Sequence, residues 1–332
     1  MKKVRELYFM TQQEGKKNAF AWRMAAWMLG AWACALPLNA QMTVYGDDDD
    51  YTYASREGLE FGVNIGVYRG FPQAAYFYDG AGDHELTDAG AQIWGIQERL
   101  QQLQSTQLNH PVTGVLNEFP AWSIYSLPLM QYKPSMYFGL KAAKFWNPET
   151  ALVCHLDVAQ VTAEGAWSLS TGLLPDQGQG NEDVRTYPIV GKEQRLGIAL
   201  GYRTSIFIAE GASWALEFGG LGNAVSIEEN YIVMSPAVGN SLYEVNLLTA
   251  VGTGAGGALT PASNVLTQWG TGVYTAAGVA LEFEEGGHIE LNVRASRDVV
   301  RLGTEEYKGW NLAAFITWMI PSQIGDFVRA SF

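Results

Sequence analysis

The sequence predicts an all-β protein, an antiparallel up-and-down β-barrel that crosses a membrane with eight strands. Apolar and polar residues alternate in eight segments of about ten residues, the length that a tilted strand needs to cross a bilayer. The chain opens with an export signal, and no later apolar run is long enough for a transmembrane helix. Its 37 Gly residues and 12% aromatic content favour strands and turns over helices.

Residues 1–40 have the pattern of a secretory signal peptide. Six basic residues are followed by an apolar run over residues 24–38 and then by Asn39-Ala40. The run is shorter than the roughly 20 residues that span a bilayer as a helix, which predicts cleavage near Ala40 and not a membrane anchor. The pattern leaves open whether translation starts at Met1 or Met10.

Residues 41–57 predict an acidic, flexible periplasmic tail. Asp47 to Asp50 are consecutive, whereas a calcium loop needs acidic ligands at alternate positions.

Removal of residues 1–40 takes away six basic and two acidic residues, which changes the net charge from −13 to −17. Such a surface repels nucleic acid. Cys154 is then the only cysteine, so we expect no internal disulfide.

The first predicted strand, residues 58–68, has two different faces. Leu59, Val63 and Val67 belong to an apolar row, while Glu60 and Asn64 belong to a row of small and polar residues. The apolar row is expected to face lipid and the polar row the barrel interior. Seven more segments repeat the alternation: 135–146, 151–161, 195–203, 212–220, 272–284, 288–296 and 310–320.

The connections between these strands differ in length. Those after strands two, four and six are short, and those after strands one, three, five and seven are longer. This asymmetry predicts short periplasmic turns and long extracellular loops, with the barrel over residues 58–320. The long loops are residues 69–134, 164–192 and 221–271, and residues 321–332 form a carboxy-terminal tail. Runs at 166–174 and 231–234 leave ten strands as an alternative count.

One loop contains a helical pattern. Ile93, Ile96, Leu100 and Leu103 recur at helical spacing after Thr87-Asp88, which predicts an amphipathic helix in the first long loop.

With the apolar rows facing lipid, the strands direct charged side chains of both signs into the lumen. An eight-stranded barrel is only wide enough for side chains to fill, and desolvated charges must pair. We therefore predict a network that plugs the lumen, with a narrow pore as the alternative. The predicted network consists of Glu60, Lys141, His155, Asp157, Arg195, Arg203, Glu217, Glu282, Glu290 and Arg294.

Aromatic residues near the strand ends predict a lipid-facing girdle at headgroup level. The girdle consists of Tyr202, Trp214, Phe218, Trp310 and Trp318, extended by Phe145 and Trp146.

The sequence predicts no enzyme, cofactor or metal site. His155, Asp157 and Ser213 lie on inward rows, but residue type alone does not place a base beside a nucleophile. Gly252 to Gly257 fit a G-x-G-x-x-G pattern, yet Pro261 breaks the helix that a dinucleotide site needs. A lipid-modifying enzyme stays the second alternative, after the pore.

The signal, the eight strands and the turn asymmetry resemble the small outer-membrane barrels of Gram-negative bacteria, of the OmpA and OmpX type. The resemblance implies an outer-membrane location, contact with outer-membrane lipid and a structural or interaction role with protein partners bound through the long loops. Some such barrels, including PorG-like proteins, belong to secretion machines. The family usually closes on a strand with a terminal aromatic residue; here Phe332 is terminal, but Pro321 interrupts the strand. A soluble β-sandwich also alternates and is the structural runner-up.

Overall fold

Eight long antiparallel strands dominate the computed structural model, which describes residues 58–82, 91–119, 121–173, 183–209, 211–235, 241–250, 260–261, 267–283 and 287–320. They are β1 Gly58–Arg69, β2 Ser135–Asn147, β3 Thr150–Ser170, β4 Val184–Ala209, β5 Ala212–Met234, β6 Thr267–Glu282, β7 His288–Leu302 and β8 Glu305–Met319. The predicted signal (1–40), acidic tail (41–57), carboxy-terminal tail (321–332) and Gly252–Gly257 pattern lie outside the described residues.

The strands close into a barrel in up-and-down order. Each pairs with the next along the chain, and β8 returns to pair with β1, where Val63 lies opposite Trp318. On its other side β1 pairs with β2, where Val63 lies opposite Leu140. Closure leaves no open edge around the barrel wall. The predicted fold class is confirmed, and the runs at 166–170 and 231–234 are the ends of β3 and β5, so the barrel formed by the described residues has eight strands.

Several strands are longer than the sequence pattern predicted. β4 has 26 residues, and residues 164–170, 184–192 and 221–234, which were predicted to lie in loops, continue β3, β4 and β5. The predicted longer connection after the seventh strand is wrong: β7 and β8 are joined by Gly303-Thr304, with Gly303 at φ 61°. Outside the bilayer the outward positions are polar, so the apolar alternation that identifies a lipid-facing strand ends before the strand does.

An apolar belt surrounds the barrel. Outward side chains are about half exposed on every strand, among them Leu59, Phe61, Ile65, Leu140, Leu156, Leu200, Phe218, Leu281, Leu291 and Ile316. Above the belt the outward positions become polar, as at Gln160 on β3 and Gln194 on β4. Nine residues of β1 rise roughly 20 Å at the tilt of such barrels, close to the apolar band of membrane barrels. Among the described residues, no helix is long and apolar enough to cross a bilayer.

Val63→Arg is expected to destabilise the folded protein by about 2–4 kcal/mol, because it places a charge near the middle of the lipid-facing row. Gln194→Arg, on the polar surface above the belt, is the matched control and is expected to change stability little. Unfolding by urea in lipid vesicles measures both free energies. Equal effects at the two positions would show that the apolar rows do not face lipid.

The upper ends of β3, β4, β5, β7 and β8 carry a folded cap, which we call the headpiece. Its helices are α1 Pro72–Ala75, followed by a 3-10 turn at Tyr76–Tyr78, α2 Ile96–Thr106 and α3 Pro111–Asn117. Its short strands are Ala91–Ile93, Ser123–Ser126, Gln131–Tyr132, Tyr243–Asn246, Leu248–Ala250 and Thr260–Pro261. The predicted loop helix is confirmed as α2; Ile96, Leu100 and Leu103 are buried on one face, while Ile93 ends the strand before it.

The main hydrophobic core lies in the headpiece. Its fully buried members include Phe77, Tyr78, Ile96, Leu100, Val112, Leu116, Trp167, Leu169, Ile189, Ile232, Val300 and Leu302. A second, small cluster lies inside the barrel at the short-turn end and consists of Ala143, Phe145, Ala151, Val153 and Met319. The lumen therefore has an apolar cap at one end and an apolar floor at the other.

Candidate functional site: the charged lumen

A buried ion cluster lies just above the floor. The Lys141 ammonium contacts Glu217 Oε1 at 2.5 Å and Glu290 Oε2 at 2.7 Å. Arg203 pairs with Glu290 and approaches Glu217 Oε1 at 3.6 Å. Two cations thus alternate with two carboxylates. The cations come from β2 and β4, and the carboxylates come from β5 and β7. Because all four side chains are almost completely buried, each charge depends on the others for compensation.

Two histidines extend the cluster. His155 Nε2 lies 3.0 Å from Glu217 Oε2, and His288 Nε2 lies 2.9 Å from Glu290 Oε1. His288 Nδ1 is 3.8 Å from a Glu60 oxygen. The sequence prediction included His155 but missed His288. Its position two residues before Glu290 places both side chains on the same face of β7, which is the signal that could have found it.

A chain of hydrogen bonds crosses the middle of the lumen. The Thr317 hydroxyl donates to Asn64 Oδ1 at 2.8 Å, and the Asn64 amide donates to Asp157 Oδ1 at 3.3 Å. Arg294 donates to Asp157 Oδ2 at 2.6 Å and to the Tyr137 hydroxyl at 2.9 Å. Side chains from five strands are therefore joined across the lumen.

A second charged group lies at the junction with the headpiece. Arg195 donates from Nε to Glu193 Oε1 at 2.6 Å and from Nη1 to the Tyr68 hydroxyl at 2.9 Å. Tyr78, from the 3-10 turn, donates to Glu193 Oε2 at 2.8 Å, and the Arg195 guanidinium lies 5.1 Å from the Tyr132 ring centroid. Burial and the Glu193 carboxylate raise the pKa of Tyr78 well above its usual value, so its hydroxyl stays a hydrogen-bond donor. These contacts tie the first long loop across the top of the lumen.

Asp298 also lies in this upper region, and it was not among the predicted residues. Its carboxylate accepts short hydrogen bonds from the side-chain amides of Asn223 and Asn311. Sequence reasoning missed Asp298 and Glu193 because both stand beyond the apolar segments that defined the predicted strands.

A small cavity separates the middle and upper groups. It has a volume of about 70 Å³ and is lined by Arg195, Arg294, Asp157, Asp298 and Asn223. Such a volume is large enough to hold water. An eight-stranded barrel is otherwise only wide enough for side chains to fill.

The structure places the predicted lumen residues as follows. Eight are buried inside the barrel: Lys141, His155, Asp157, Arg195, Arg203, Glu217, Glu290 and Arg294. Glu60 and Glu282 are partly exposed. The network divides into a lower, a middle and an upper group, a division that the sequence did not indicate.

The predicted girdle residues Tyr202, Trp214, Phe218, Trp310 and Trp318 are all exposed on the outer surface. The Tyr202 ring lies 6.5 Å from Trp146 and 5.6 Å from Phe218. The placement of Phe145 in the girdle is wrong. Its side chain is buried in the floor, 5.7 Å below the Arg203 guanidinium, because it shares the inward row of β2 with Lys141.

The lumen residues considered for catalysis do not form a nucleophile and base pair. His155 contacts Glu217 and Asn64, and the Ser213 hydroxyl has no hydrogen-bond partner in the described part of the chain. Across the described residues, no group of three His, Cys, Asp or Glu side chains is arranged to hold a metal ion.

No protein-family profile and no curated protein sequence matches this chain. Solved structures that are similar to it include Neisserial surface protein A, with 8% identity over 80% of this chain and 99% of that one and a TM-score of 0.34. Ail of Yersinia pestis has 9% identity over 80% and 99% and a TM-score of 0.30. The outer membrane protease OmpT of Escherichia coli has 9% identity over 82% and 100% and a TM-score of 0.31.

Proposed function

We propose that this chain is an outer-membrane β-barrel that acts as a structural and interaction protein, as a subunit of an envelope or secretion-associated complex. Its barrel anchors the headpiece, with the short turns in the periplasm and the headpiece outside the cell. The observation that carries the proposal is the buried ion network in the lumen, which lies between an apolar cluster at the short-turn end and the headpiece core. A barrel built in this way holds a surface in place and does not offer a passage.

Closure of the lumen is supported at each level of the barrel. The floor is apolar, and above it Lys141 and Arg203 are neutralised by Glu217 and Glu290. At the top, Arg195 and Glu193 hold Tyr78 across the opening. Opening a path for solutes would expose an apolar core or leave buried charges without partners, and both changes are costly. This argument disfavours the narrow pore.

The headpiece supports an interaction role. It contains the larger hydrophobic core and also leaves apolar side chains on its surface, such as Leu108, which is 77% exposed between α2 and α3, and Leu242, which is 70% exposed. Loops that a rigid scaffold holds in place are the usual location of binding residues.

Photo-cross-linking in living cells tests the proposal. A photoreactive amino acid is introduced at Leu108 or Leu242 of the tagged full-length chain, and at Phe218 in the belt as the matched control. We expect a covalent adduct with one other polypeptide from a headpiece position and none from the Phe218 position. No protein adduct from either headpiece position would overturn the interaction role.

A further inference from the structure

One strip of the headpiece surface consists of exposed apolar side chains. Tyr125, Leu127 and Leu129, which we call the Tyr125 strip, are 66%, 47% and 63% exposed. Their neighbours in sequence turn inward: Ile124 packs against the headpiece core, and Met130 is buried in it. The strip is therefore held in place by its own inward neighbours and presents a defined outer face.

The strip lies directly above β2. Strand Ser123–Ser126 pairs with the upper end of β3, where Ser126 lies opposite Ser168, and Gln131–Tyr132 pairs lower down, where Gln131 lies opposite Glu164. Below these, β2 itself takes over the pairing with β3. One outward column thus runs from the lipid-facing residues of β2 up to Tyr125.

Lipid does not account for the strip. The belt on β3 ends at Val158, and Ser168 stands ten residues further along the strand. At the rise and tilt of barrel strands this separation corresponds to roughly 25 Å above the belt. Clustered exposed apolar side chains at such a height are typical of a protein contact.

The strip is also free of charge and borders an open strand edge. Residues 121–132 contain no charged residue in a chain of net charge −13, and Lys133, which follows them, pairs with Glu164 at 3.3 Å. Within the described residues, strand Ser123–Ser126 pairs only with β3, so its other edge offers backbone groups to a further strand. Two acidic molecules can meet at this surface without opposing like charges.

We propose that the Tyr125 strip joins two copies of this chain side by side in the same membrane, related by a two-fold axis along the membrane normal. The proposal rests on the membrane placement in the proposed function. Below the strip, β2 presents Met136, Phe138 and Leu140 at the level of the belt. A second copy carries the same belt and the same strip at the same height, so belt meets belt and strip meets strip. A soluble partner would match only the upper part of the column.

Cysteine cross-linking tests the contact. In a Cys34→Ser, Cys154→Ser background, Leu127→Cys is oxidised with copper phenanthroline in native membranes. Thr186→Cys is the control, because Thr186 lies opposite Ser168 on β4, at the height of the strip but on the polar outer face. We expect a reducible dimer at Leu127→Cys, in at least tenfold excess over Thr186→Cys. Equal dimer yields, or an adduct only with another protein, would overturn the proposal.

A second variant distinguishes failure of the two-copy contact from failure of the membrane-anchored barrel. Tyr125→Glu with Leu129→Glu is expected to halve the protein mass measured by sedimentation in detergent. Heat-modifiable gel migration and extraction that requires detergent show in the same sample that the barrel is folded. A wild-type protein that is monomeric while the barrel is folded would overturn the two-copy contact and leave the anchored-barrel function standing. A protein that is soluble without detergent would overturn both.

Discussion

Lys141→Met is expected to destabilise the folded barrel by about 3–5 kcal/mol, because it removes one of the two cations that compensate a pair of buried carboxylates. Lys141 lies between Glu217 and Glu290, and only Arg203 would then face both of them. The unfolding free energy is measured by urea titration in lipid vesicles, with tryptophan fluorescence as the signal.

Two further variants show whether the loss arises from charge. Lys308→Met removes a lysine that is 66% exposed beside Glu306, and we expect a change of about 0–1 kcal/mol. Adding Glu217→Gln to Lys141→Met should recover part of the stability, since it removes one uncompensated carboxylate. A Lys141→Met protein as stable as Lys308→Met would refute the paired network.

Trp167→Ala is expected to destabilise the headpiece by about 3–5 kcal/mol, because a fully buried indole leaves a large cavity. Trp167 lies in the headpiece core on the upper part of β3, with its ring centroid 5.3 Å from that of Tyr187. The barrel below has its own interior network, so the headpiece should open first. Limited proteolysis of intact membranes measures that opening.

Matched variants locate the effect. Trp167→Phe keeps most of the buried ring and should retain more of the protease resistance. Trp269→Ala removes a ring that is 58% exposed and should leave resistance unchanged. If Trp167→Ala digests no faster than Trp269→Ala, the headpiece core does not hold the loops in place.

The barrel wall could be predicted because lipid and lumen act on alternate residues of the same strand. Leu59 and Val63 face outward and Asn64 inward in the structure, as the alternation in residues 58–68 predicted. The bilayer applies this constraint only over the height of its apolar layer. Above it, Gln160 and Gln194 are outward-facing strand residues that look like loop residues in sequence.

Most of the lumen residues could be predicted, but their pairings could not. Alternation places Lys141, Glu217 and Glu290 inside, whereas their contact depends on the relative register of β2, β5 and β7 around a closed wall. Loop packing also cannot be predicted from the sequence. Tyr78, for example, donates a hydrogen bond to Glu193, which lies 115 positions later in the chain. Such contacts come from tertiary packing and leave no local pattern.

Conductance across planar lipid bilayers tests the central claim most directly. The purified full-length chain is inserted into the bilayer, and insertion is confirmed by heat-modifiable migration of the recovered protein. Because the proposed function has the lumen plugged by its ion network, between the apolar cluster around Phe145 and the headpiece, we predict a silent membrane. Reproducible stepwise currents from the folded wild-type protein would contradict the account and favour the narrow pore.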